Sequence, residues 1–299
     1  MVQVSVVIVT WNAEKFIQDC LESVFLQQIE DMEIIVVDNG STDKTLTILE
    51  DYSDRIKLIK NKINSGFCAA NNQAILKAEG AYIFTLNSDV ILEKGYIRDL
   101  KDCLDKHKHV GMVQGRLLRL DRKTIDSLGL RFSALMRLYN IGEAKADSKK
   151  FDKQIEIFGP CAAAAVYKKE LLDAVRDKDE FFDEKFFFLV EDFDLAWRAR
   201  IRGWSAMYVP TAIAYHYRES SEHSDPFKQY LSFRNRYFLL IKNGSWKHLL
   251  LFVFGFFIYE LPRFIFMLLF NKNTSKALRQ IYDYFPALRK KRYNRALFL

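Results

Sequence analysis

The N-terminal part of the chain alternates short, almost continuous apolar runs with segments of helical period. The apolar runs have the length of strands and occupy residues 4–10, 33–38, 56–60 and 82–87. Runs without polar alternation are typical of strands covered on both faces, as in a parallel sheet. Between the first two runs, apolar residues recur at helical spacing at Phe16, Cys20, Leu21 and Val24. This alternation predicts a right-handed, doubly wound α/β sheet.

Polar residues follow all four predicted strands. The clusters are Thr10-Trp11-Asn12, Asp38-Asn39-Gly40-Ser41, Asn64-Ser65-Gly66-Phe67 and Asn87-Ser88-Asp89. In open α/β sheets, ligands bind outside the carboxyl ends of the strands, where the loops converge. The sequence therefore predicts a ligand site at one edge of the sheet.

Asp38 and Asp89 each allow two interpretations. Asn-Gly is a turn signal and Ser41 is a good helix N-cap, so these residues explain the turn without Asp38. The carboxylate of Asp38 could instead bind a ribose or a base. Asp89 either closes a turn or holds a ligand. The sequence has no Gly-x-Gly-x-x-Gly motif after the first strand and no P-loop motif, so a bound diphosphate would need another source of positive charge. A divalent cation on Asp89 would supply it.

A second group of acids follows the stretch 185–190. Asp194 is expected mainly to support a helix, through the helix macrodipole and an i,i+4 pair with Arg198. Glu191 and Asp192 exceed what helix capping needs. A carboxylate in partly apolar surroundings has a raised pKa, which suits a general base.

The sequence is less regular in the middle of the chain. Residues 110–120 and 125–132 are predicted as strands, and 206–217 as two short strands. The polar stretch 142–155 is predicted as a loop that is either a lid or a plain linker. His216, near the end of the last predicted strand, is either a metal ligand or a structural histidine.

The cysteines and the N-terminus limit the class of protein. Cys20, Cys68, Cys103 and Cys161 are far apart and form no Cys-x-x-Cys pair, which predicts neither a disulfide framework nor a zinc site and favours a reducing compartment. The N-terminal apolar run has no basic region before it and no small-residue cleavage site after it. It is interpreted as a core strand and not as a signal peptide.

The last third of the chain is apolar and basic. The whole chain has 45 Lys and Arg against 38 Asp and Glu. Residues 249–270 are long enough to span a bilayer, but Glu260, Pro262 and Arg263 lie in the middle, and each central charge costs about 2.5–3.5 kcal/mol. We therefore expect a broken pair of helices in the membrane plane, with basic residues and the tail 288–299 on anionic head groups. The alternative is an apolar helix packed on the catalytic domain or on a second subunit.

Taken together, these motifs resemble those of the inverting family 2 glycosyltransferases of the GT-A fold. The matching segments, in the family's order, are VSVVIVTWNAEKFIQDCLESV, EIIVVDNGSTDKT, NSGFCAANNQAI, LNSDV, FFFLVEDFDLAWRARIRGW and the histidine of YHYRESS. Each motif is weak alone, but the ordered set, over residues 3–220, is specific. We assign residues 1–225 to a GT-A catalytic domain and residues 226–299 to a helical, membrane-associating segment.

The resemblance implies contacts with a sugar nucleotide. Thr10 and Asn12 would line the nucleotide pocket, and Asp38 would contact a uracil or thymine nucleoside. Asn64 and Gly66 would lie against the donor.

The resemblance also implies a metal site and a catalytic base. Asn87, Ser88 and Asp89 occupy the place of the D-x-D metal motif, and His216 matches a common ligand on the metal side. Asp192 matches the catalytic base of the family's E-D pair, with Glu191 beside it.

Position 87 departs from the family pattern. Many members have Asp there and this chain has Asn, so Asp89, His216 and the diphosphate would have to hold the Mg²⁺ or Mn²⁺ ion. The Asn-Ser-Asp variant and the segment 64–72 look most like the rhamnosyltransferase-like subfamily. This resemblance points to dTDP-rhamnose as the donor, with a UDP-sugar as the alternative.

The implied function is a metal-dependent, inverting transfer of a sugar to a hydroxyl of a saccharide or lipid-linked saccharide, in cell-surface polysaccharide assembly. The implied place is cytoplasmic, at the inner face of the cell membrane. The alternative is a catalytically silent GT-A-like module that holds a nucleotide or a partner, against which Asp89 and Asp192 argue. Nucleic acid is not an expected partner, because no basic surface interleaved with aromatic residues is seen.

Overall fold

The structure, a computed structural model, describes residues 2–218 and 223–291. Its strands are β1 (Val4–Thr10), β2 (Met32–Asp38), β3 (Lys57–Lys60), β4 (Tyr82–Asn87), β5 (Val90–Leu92), β6 (Val110–Arg119), β7 (Ile125–Ser127), β8 (Leu130–Phe132), β9 (Leu138–Asn140), β10 (Ile155–Ile157), β11 (Ala164–Lys168) and β12 (Ser205–His216). Its α-helices are α1 (Ile17–Phe25), α2 (Thr45–Glu50), α3 (Phe67–Lys77), α4 (Tyr96–Lys106), α5 (Lys169–Val175), α6 (Glu191–Ile201), α7 (Asp225–Asn243), α8 (Trp246–Gly255), α9 (Leu261–Phe270) and α10 (Thr274–Lys290). A π-helical segment, Phe256–Glu260, joins α8 to α9, and short 3-10 helices occur at Lys149–Phe151 and Glu184–Phe186.

The first strands form the parallel part of a central sheet with the order β10-β12-β6-β11-β4-β1-β2-β3. β1 lies between β2 and β4 and is parallel to both, so that Thr10 is level with Asp38 and Val9 is level with Asn87. β11 is antiparallel to its neighbours β4 and β6, while β12 is parallel to β6. The predicted α/β fold class is confirmed, and the carboxyl ends of β1, β2 and β4 lie at one edge of the sheet.

Alternate residues of the buried strands point into two apolar layers. Val6 and Ile8 pack in the layer that contains α1 and α4, whereas Val7 packs in the layer that contains α3, α5 and α6. Because both faces of β1 are covered, neither face needs polar residues. This is why the sequence of the strand is a nearly uninterrupted apolar run.

Two of the strand predictions differ from the structure. Residues 206–217 were expected to form two strands, but β12 is continuous, with a shift in its register to β6 between Val209 and Ile213. Pro210 lies at this irregularity and has no N–H to donate, which interrupts the pairing without ending the strand. Residues 125–132 form the two strands β7 and β8, separated by a turn at Gly129, which has a φ of 116°.

The polar loop 142–155 is tied to the sheet by a buried arginine. Arg116, on β6, pairs with Asp147 at 2.9 Å and with Asp152 at 2.6 Å. Its Nε donates to the hydroxyl of Tyr208 at 3.1 Å. These contacts hold the loop against β6 and β12, which favours the linker interpretation over the lid.

α7 belongs to the same core as the helices that cover the sheet. Phe238 and Leu239 of α7 are fully buried in the apolar cluster that contains Trp197 of α6. The domain boundary at residue 225 coincides with the start of α7 and stays a prediction. Of the predicted basic tail, residues 292–299 lie outside the described residues.

Residues 246–270 form one continuous helix and not the expected broken pair. α8, the π-helical segment and α9 run end to end over 25 residues, and by length and composition this helix could cross a membrane. The wider π-helical turn before Pro262 lets the helix continue past a residue that has no N–H to donate. Glu260 is buried and pairs with Arg236 of α7 at 2.5 Å. The helix therefore directs this charge into the protein.

Candidate active site

The side chain of Asn39 connects the loops that follow β2 and β3. Its Nδ2 donates to Oδ1 of Asn64 at 3.0 Å and to the carbonyl of Gly66 at 3.3 Å. Its Oδ1 accepts from Nδ2 of Asn61 and from the N–H and hydroxyl of Ser65. An amide suits this place because it both donates and accepts. Sequence reasoning missed this role, and the available signal was an Asn directly after a buried strand.

Thr10 and Asp38 lie side by side at the ends of β1 and β2 and are buried. Oδ2 of Asp38 accepts from the N–H of Ser41 at 3.3 Å. Among the described residues, Oδ1 of Asp38 and Oγ1 of Thr10 have no hydrogen-bond partner. A buried polar atom left without a partner is costly, so a ligand or water usually satisfies it. Thr10 and Asp38 are therefore candidates for a nucleoside contact.

Asn12 joins the loop after β1 to the loop after β2. It has a positive φ of 51°, its N–H donates to Oγ of Ser41 at 2.9 Å, and its Oδ1 accepts from the N–H of Thr42 at 2.8 Å. Asn tolerates this left-handed conformation better than most residues. Asn12 thus shapes the predicted pocket by fixing two of its loops to each other.

Gly66 lies where the loop after β3 meets the segment that leads into α6. Its φ is 92°, and a Cβ at this position would lie 2.4 Å from the ring of Phe187. The carbonyl of Phe187 accepts from the N–H of Cys68 at 3.0 Å. Only glycine allows both this conformation and this close approach. The start of α3 is therefore fixed directly to the segment that precedes Glu191.

Asp89 and His216 meet because β5 pairs with β12. This pairing places Val90 level with His216, and Oδ2 of Asp89 lies 3.2 Å from Nε2 of His216. Oδ2 of Asp126, on β7, lies 2.8 Å from Nδ1 of the same ring. Burial alone would lower the pKa of His216, but Asp89 and Asp126 together raise it to about 9. Sequence reasoning missed Asp126, whose signal was an acid inside an apolar stretch.

The residues around His216 fit a cation that takes most of its ligands from a substrate. Within residues 2–218 and 223–291, no group of three or more His, Cys, Asp and Glu side chains could hold a metal by itself. Asp126 binds Nδ1 and leaves Nε2 facing Asp89, an arrangement typical of a histidine that binds a metal. A cation here would displace the proton of His216 and would need further oxygen ligands.

Asn87 and Asp192 both form hydrogen bonds with the turn that leads into β11. The N–H of Asn87 donates to the carbonyl of Ala163 at 2.9 Å, and the N–H of Ala162 hydrogen-bonds the carboxylate of Asp192. Ser88 follows in the turn between β4 and β5 and is half-buried. The structure therefore brings the predicted metal motif and the second acid cluster to the same edge of the sheet.

The segment before α6 has an unusual backbone. Phe187, Leu189 and Val190 have positive φ angles of 67°, 69° and 75°, a region that residues with side chains rarely adopt and β-branched residues least of all. Such strain persists only where the surroundings hold it, and it is frequent at active sites. Here it ends directly at Glu191 and Asp192.

Two polar residues of α7 hold this strained segment in place. Nδ2 of Asn235 lies 2.9 Å from the carbonyls of Phe186 and Phe188 and 2.7 Å from that of Leu189. Arg234 also donates to the carbonyl of Phe186, at 3.0 Å. These bonds provide partners for carbonyls in an irregular stretch of backbone. Sequence reasoning missed both residues, for which the signal was a polar pair inside an aromatic helix.

Burial dominates the electrostatics of Glu191 and Asp192. It raises the pKa of Asp192 to about 6, although the N–H groups of Phe193 and Ala162 act against the shift. Burial and the charge of Asp192 raise the pKa of Glu191 well above its ordinary value. Near neutral pH, Asp192 is therefore mostly ionised and can accept a proton.

Asp194 is fully buried among positive charges. Its Oδ2 accepts from Nε of Arg198 at 2.9 Å and from Nζ of Lys242 at 2.8 Å, and its Oδ1 accepts from Asn243 at 2.7 Å. Burial alone would raise its pKa, but Lys242 and Arg198 outweigh burial and lower it. The predicted pair with Arg198 is present, and Lys242 additionally anchors α6 to α7.

Sequence comparison places residues 5–176, more than half of the chain, in the family described as Glycosyl transferase family 2. Among curated proteins, an uncharacterized glycosyltransferase of Haemophilus influenzae is 33% identical over 132 residues, which are 43% of this chain and 41% of the relative. The match thus spans less than half of that relative's length.

Structural comparison finds the same fold in solved structures. The structure of S. aureus TarS 1–349 in complex with UDP has a TM-score of 0.58 at 20% identity, and the match covers 97% of this chain and 89% of that one. The structure of GalNAc-T7 with UDP, GalNAc and Mn²⁺ has a TM-score of 0.57 at 14% identity, covering 79% of this chain and 51% of that one. At these identities the likeness establishes the fold alone.

Proposed function

Because this chain belongs to Glycosyl transferase family 2, we propose that it transfers a sugar from a nucleotide diphosphate donor to a hydroxyl group of an acceptor. The observation that carries the proposal is Asp192, a carboxylate whose pKa is raised to about 6 by burial. It shares an edge of the sheet with Thr10 and Asp38, whose buried oxygens have no hydrogen-bond partner among the described residues. A proton acceptor and a nucleoside pocket at one edge suit glycosyl transfer.

Asp192 is the general base of the proposed reaction. Its carboxylate accepts the proton of the acceptor hydroxyl while that oxygen bonds to the anomeric carbon. The bond from this carbon to the diphosphate breaks on the opposite face, so the configuration inverts. General-base assistance is worth about 10²–10⁴-fold in rate.

The donor is proposed to lie against Thr10, Asp38, Asn64 and Gly66. The free oxygen of Asp38 would accept the imide N–H that uracil and thymine share, so this contact does not separate a UDP-sugar from a dTDP-sugar. TarS, which has the same fold, binds UDP. The resemblance of the segments 64–72 and 87–89 to rhamnosyltransferases supports dTDP-rhamnose, with a UDP-sugar as the alternative.

Asp89 and His216 are proposed to hold a Mg²⁺ or Mn²⁺ ion together with the diphosphate. The GalNAc-T7 structure of the same fold contains Mn²⁺. When bound, the cation would neutralise charge on the leaving diphosphate. Asp126 would keep Nε2 of His216 directed at the ion through its bond to Nδ1.

Thermal unfolding with nucleotides tests this proposal. The purified protein is heated with dTDP, UDP, GDP or NAD, each with Mn²⁺ and with a chelator. A ligand at 100 times its dissociation constant adds about 2.7 kcal/mol of stability, which is readily measured. We expect Mn²⁺-dependent stabilisation by dTDP or UDP, and no shift with any nucleotide would contradict the proposed donor site.

We further propose that the enzyme works at the cytoplasmic face of the cell membrane on a saccharide or lipid-linked saccharide of cell-surface polysaccharide. In support, Val253, Phe254 and Phe257 on the helix 246–270 are 55%, 73% and 74% exposed. Exposed lysines, Lys247 and Lys272, lie at the two ends of this helix. An apolar face with basic ends is typical of a helix that lies on anionic lipid.

Sedimentation with vesicles tests the membrane proposal. The protein should sediment with anionic vesicles at low salt, and the double variant Phe254→Ser with Phe257→Ser should stay in solution. Leu26→Ser is the matched control, because Leu26, which directly follows α1, is 66% exposed and lies outside the apolar helix. Absence of sedimentation of the unmodified protein would contradict membrane association.

A further inference from the structure

An open cleft of about 450 Å³ lies between α7, α8 and α10. Its lining shares no residue with the candidate active site. Leu240 and Ile241 of α7, Phe252 of α8 and Phe285 of α10 make its wall mainly apolar. The volume lies within the range of about 300–1,000 Å³ that is common for small-molecule sites. Nothing in the proposed transfer reaction yet uses this cleft.

The cleft combines its apolar wall with a cation. The guanidinium of Arg289, in the last turn of α10, lies 5.7 Å from the ring centroid of Phe285. A guanidinium binds phosphate oxygens in a bidentate geometry and is always charged. The ligand that suits this lining has a hydrocarbon chain and an anionic group, most simply a phosphate.

The cleft also adjoins the surface that we propose to lie on the membrane. α8 supplies Trp246 and Phe252 to the lining of the cleft, while Val253 and Phe254 of the same helix are exposed. Trp246 is itself 64% exposed, and tryptophan is enriched where proteins meet the membrane–water interface. α8 thus contributes apolar side chains both to the cleft and to the surface that we propose to meet the bilayer.

The wall of the cleft contacts the helix that carries the proposed base. The ring of His248, which lines the cleft, packs edge-on against Trp197 of α6, with 4.9 Å between centroids. Trp197 follows Asp192 by five positions in α6. A ligand in the cleft thus lies one side chain away from α6.

We propose that this cleft binds the lipid part of the acceptor, with the hydrocarbon chain against Leu240, Ile241 and Phe252 and a phosphate on Arg289. This inference rests on the proposed glycosyl transfer and specifies its acceptor as a lipid phosphate or diphosphate that carries the saccharide.

Binding of a brominated dodecyl phosphate, used below its micelle concentration, tests the cleft directly. Bromine on the chain should quench the fluorescence of Trp246, and Trp246→Phe should lose this quenching. Arg289→Gln should weaken binding about tenfold, by the loss of a charge-assisted contact. Lys290→Gln is the matched control: Lys290 is the exposed neighbouring cation and does not line the cleft. Equal affinity of Arg289→Gln and Lys290→Gln would overturn the phosphate assignment.

Ile241→Trp, which fills the cleft, separates this inference from the proposed function. It should abolish quenching and transfer to a lipid-linked acceptor, while dTDP or UDP still stabilises the protein and a short water-soluble acceptor still reacts. Retained quenching in a folded Ile241→Trp protein would overturn the assignment of the cleft and would leave the proposed glycosyl transfer intact. Lipid binding without any nucleotide binding would instead overturn glycosyl transfer. A dimer that Arg289→Gln or Ile241→Trp dissociates in sedimentation would show that a second copy fills the cleft, which also overturns the inference.

Discussion

Asp192 and Asp194 lie two residues apart at the start of α6, and their carboxylates have opposite surroundings. Asp194 faces α7 and is held by Lys242 and Arg198, which keep its pKa low. Asp192 faces the turn before β11, where backbone N–H groups are its hydrogen-bond donors and burial raises its pKa to about 6. Between α6 and α7, the carboxylate of Asp194 therefore joins two helices. At the edge of the sheet, the carboxylate of Asp192 can take up a proton.

Asp89 adds a third environment to this comparison. It lies at the same edge as Asp192, but its partner is His216, which Asp126 holds from the other side. The three aspartates have the same chemistry and differ in the cations around them. The contacts and the pKa of an acid in this protein therefore follow from what faces it after folding.

The comparison would be broken most strongly by Asp192→Asn. This variant removes the proposed proton acceptor and should lower kcat by about 10²–10⁴-fold. Donor affinity in calorimetry should be unchanged, because Asn occupies the same volume and Asp192 is not placed against the nucleotide. In the unmodified enzyme, kcat should fall below a pH of about 6 as Asp192 is protonated. Transfer by Asp192→Asn at the rate of the unmodified enzyme would contradict the assignment of Asp192 as the general base.

Asp194→Asn should act on stability instead. Removing one member of a buried ion pair costs about 3–5 kcal/mol, because it leaves Lys242 and Arg198 with less opposing charge. The matched control is Asp173→Asn, which breaks a partly exposed i,i+4 pair with Lys169 and should cost at most about 1 kcal/mol. Urea unfolding of both variants gives the measurement. Equal losses in the free energy of unfolding would show that the buried pair between α6 and α7 stabilises the protein no more than the partly exposed pair.

Asp126→Asn should weaken the binding of Mn²⁺ without removing a proposed ligand. Loss of the partner that orients a metal-binding histidine typically costs about 10–100-fold in metal affinity. The measurement is the Mn²⁺ concentration that gives half of the thermal stabilisation by dTDP or UDP. Stabilisation by dTDP or UDP at saturating Mn²⁺ serves as the control and should not change. An unaltered Mn²⁺ dependence would place the cation elsewhere.

Asp192→Asn should also make the protein more stable at alkaline pH. The folded-state pKa of Asp192 is raised to about 6 from an ordinary value of 3.8, so its ionised form opposes folding, increasingly as the pH rises from about 4 to 6. Above pH 6 the variant should gain roughly 1–3 kcal/mol, at about 1.4 kcal/mol per unit of pKa. Unfolding at pH 8 and pH 4 measures the gain and its disappearance. A gain in stability that persists at pH 4 would not come from the ionisation of Asp192.

Glu191→Gln should have the smallest effect. Burial and the charge of Asp192 raise the pKa of Glu191 well above its ordinary value, which favours the neutral form, and Gln reproduces the shape and charge of that form. We expect a change in kcat of less than about tenfold, below the usual range for loss of general-base assistance. The measurement is the steady-state rate of Glu191→Gln, compared with the rate of Asp192→Asn under the same conditions. A loss as large as that of Asp192→Asn would mean that Glu191 also takes part in proton transfer.

Sequence reasoning was most successful with local patterns. The apolar runs correspond to β1, β2, β3 and β4, and the polar clusters after them lie along one edge of the sheet, because strand period and the geometry of parallel sheets are properties of short segments. The i,i+4 pair of Asp194 with Arg198 was predictable for the same reason, since one helix contains both partners.

The same reasoning failed where a contact joins distant parts of the chain. Asp126 reaches His216 only through the pairing of strands far apart in sequence, and Asn235 holds the strained turn before Glu191 from a helix that follows it. The helix 246–270 was expected to break at its central charges. It continues through the π-helical turn before Pro262, and Arg236 neutralises Glu260 inside the protein.

The amino-acid sequence alone specifies the α/β sheet, the edge that carries the candidate site and the candidate acids, since hydrophobic period and strand ends can be read over a few residues. Only the tertiary structure decides the electrostatic surroundings of those acids. A pKa depends on burial and on the charges within a few ångströms, and for His216, Asp192 and Asp194 these neighbours include residues from other elements of the chain. No local pattern contains that information, because folding is what brings the neighbours together.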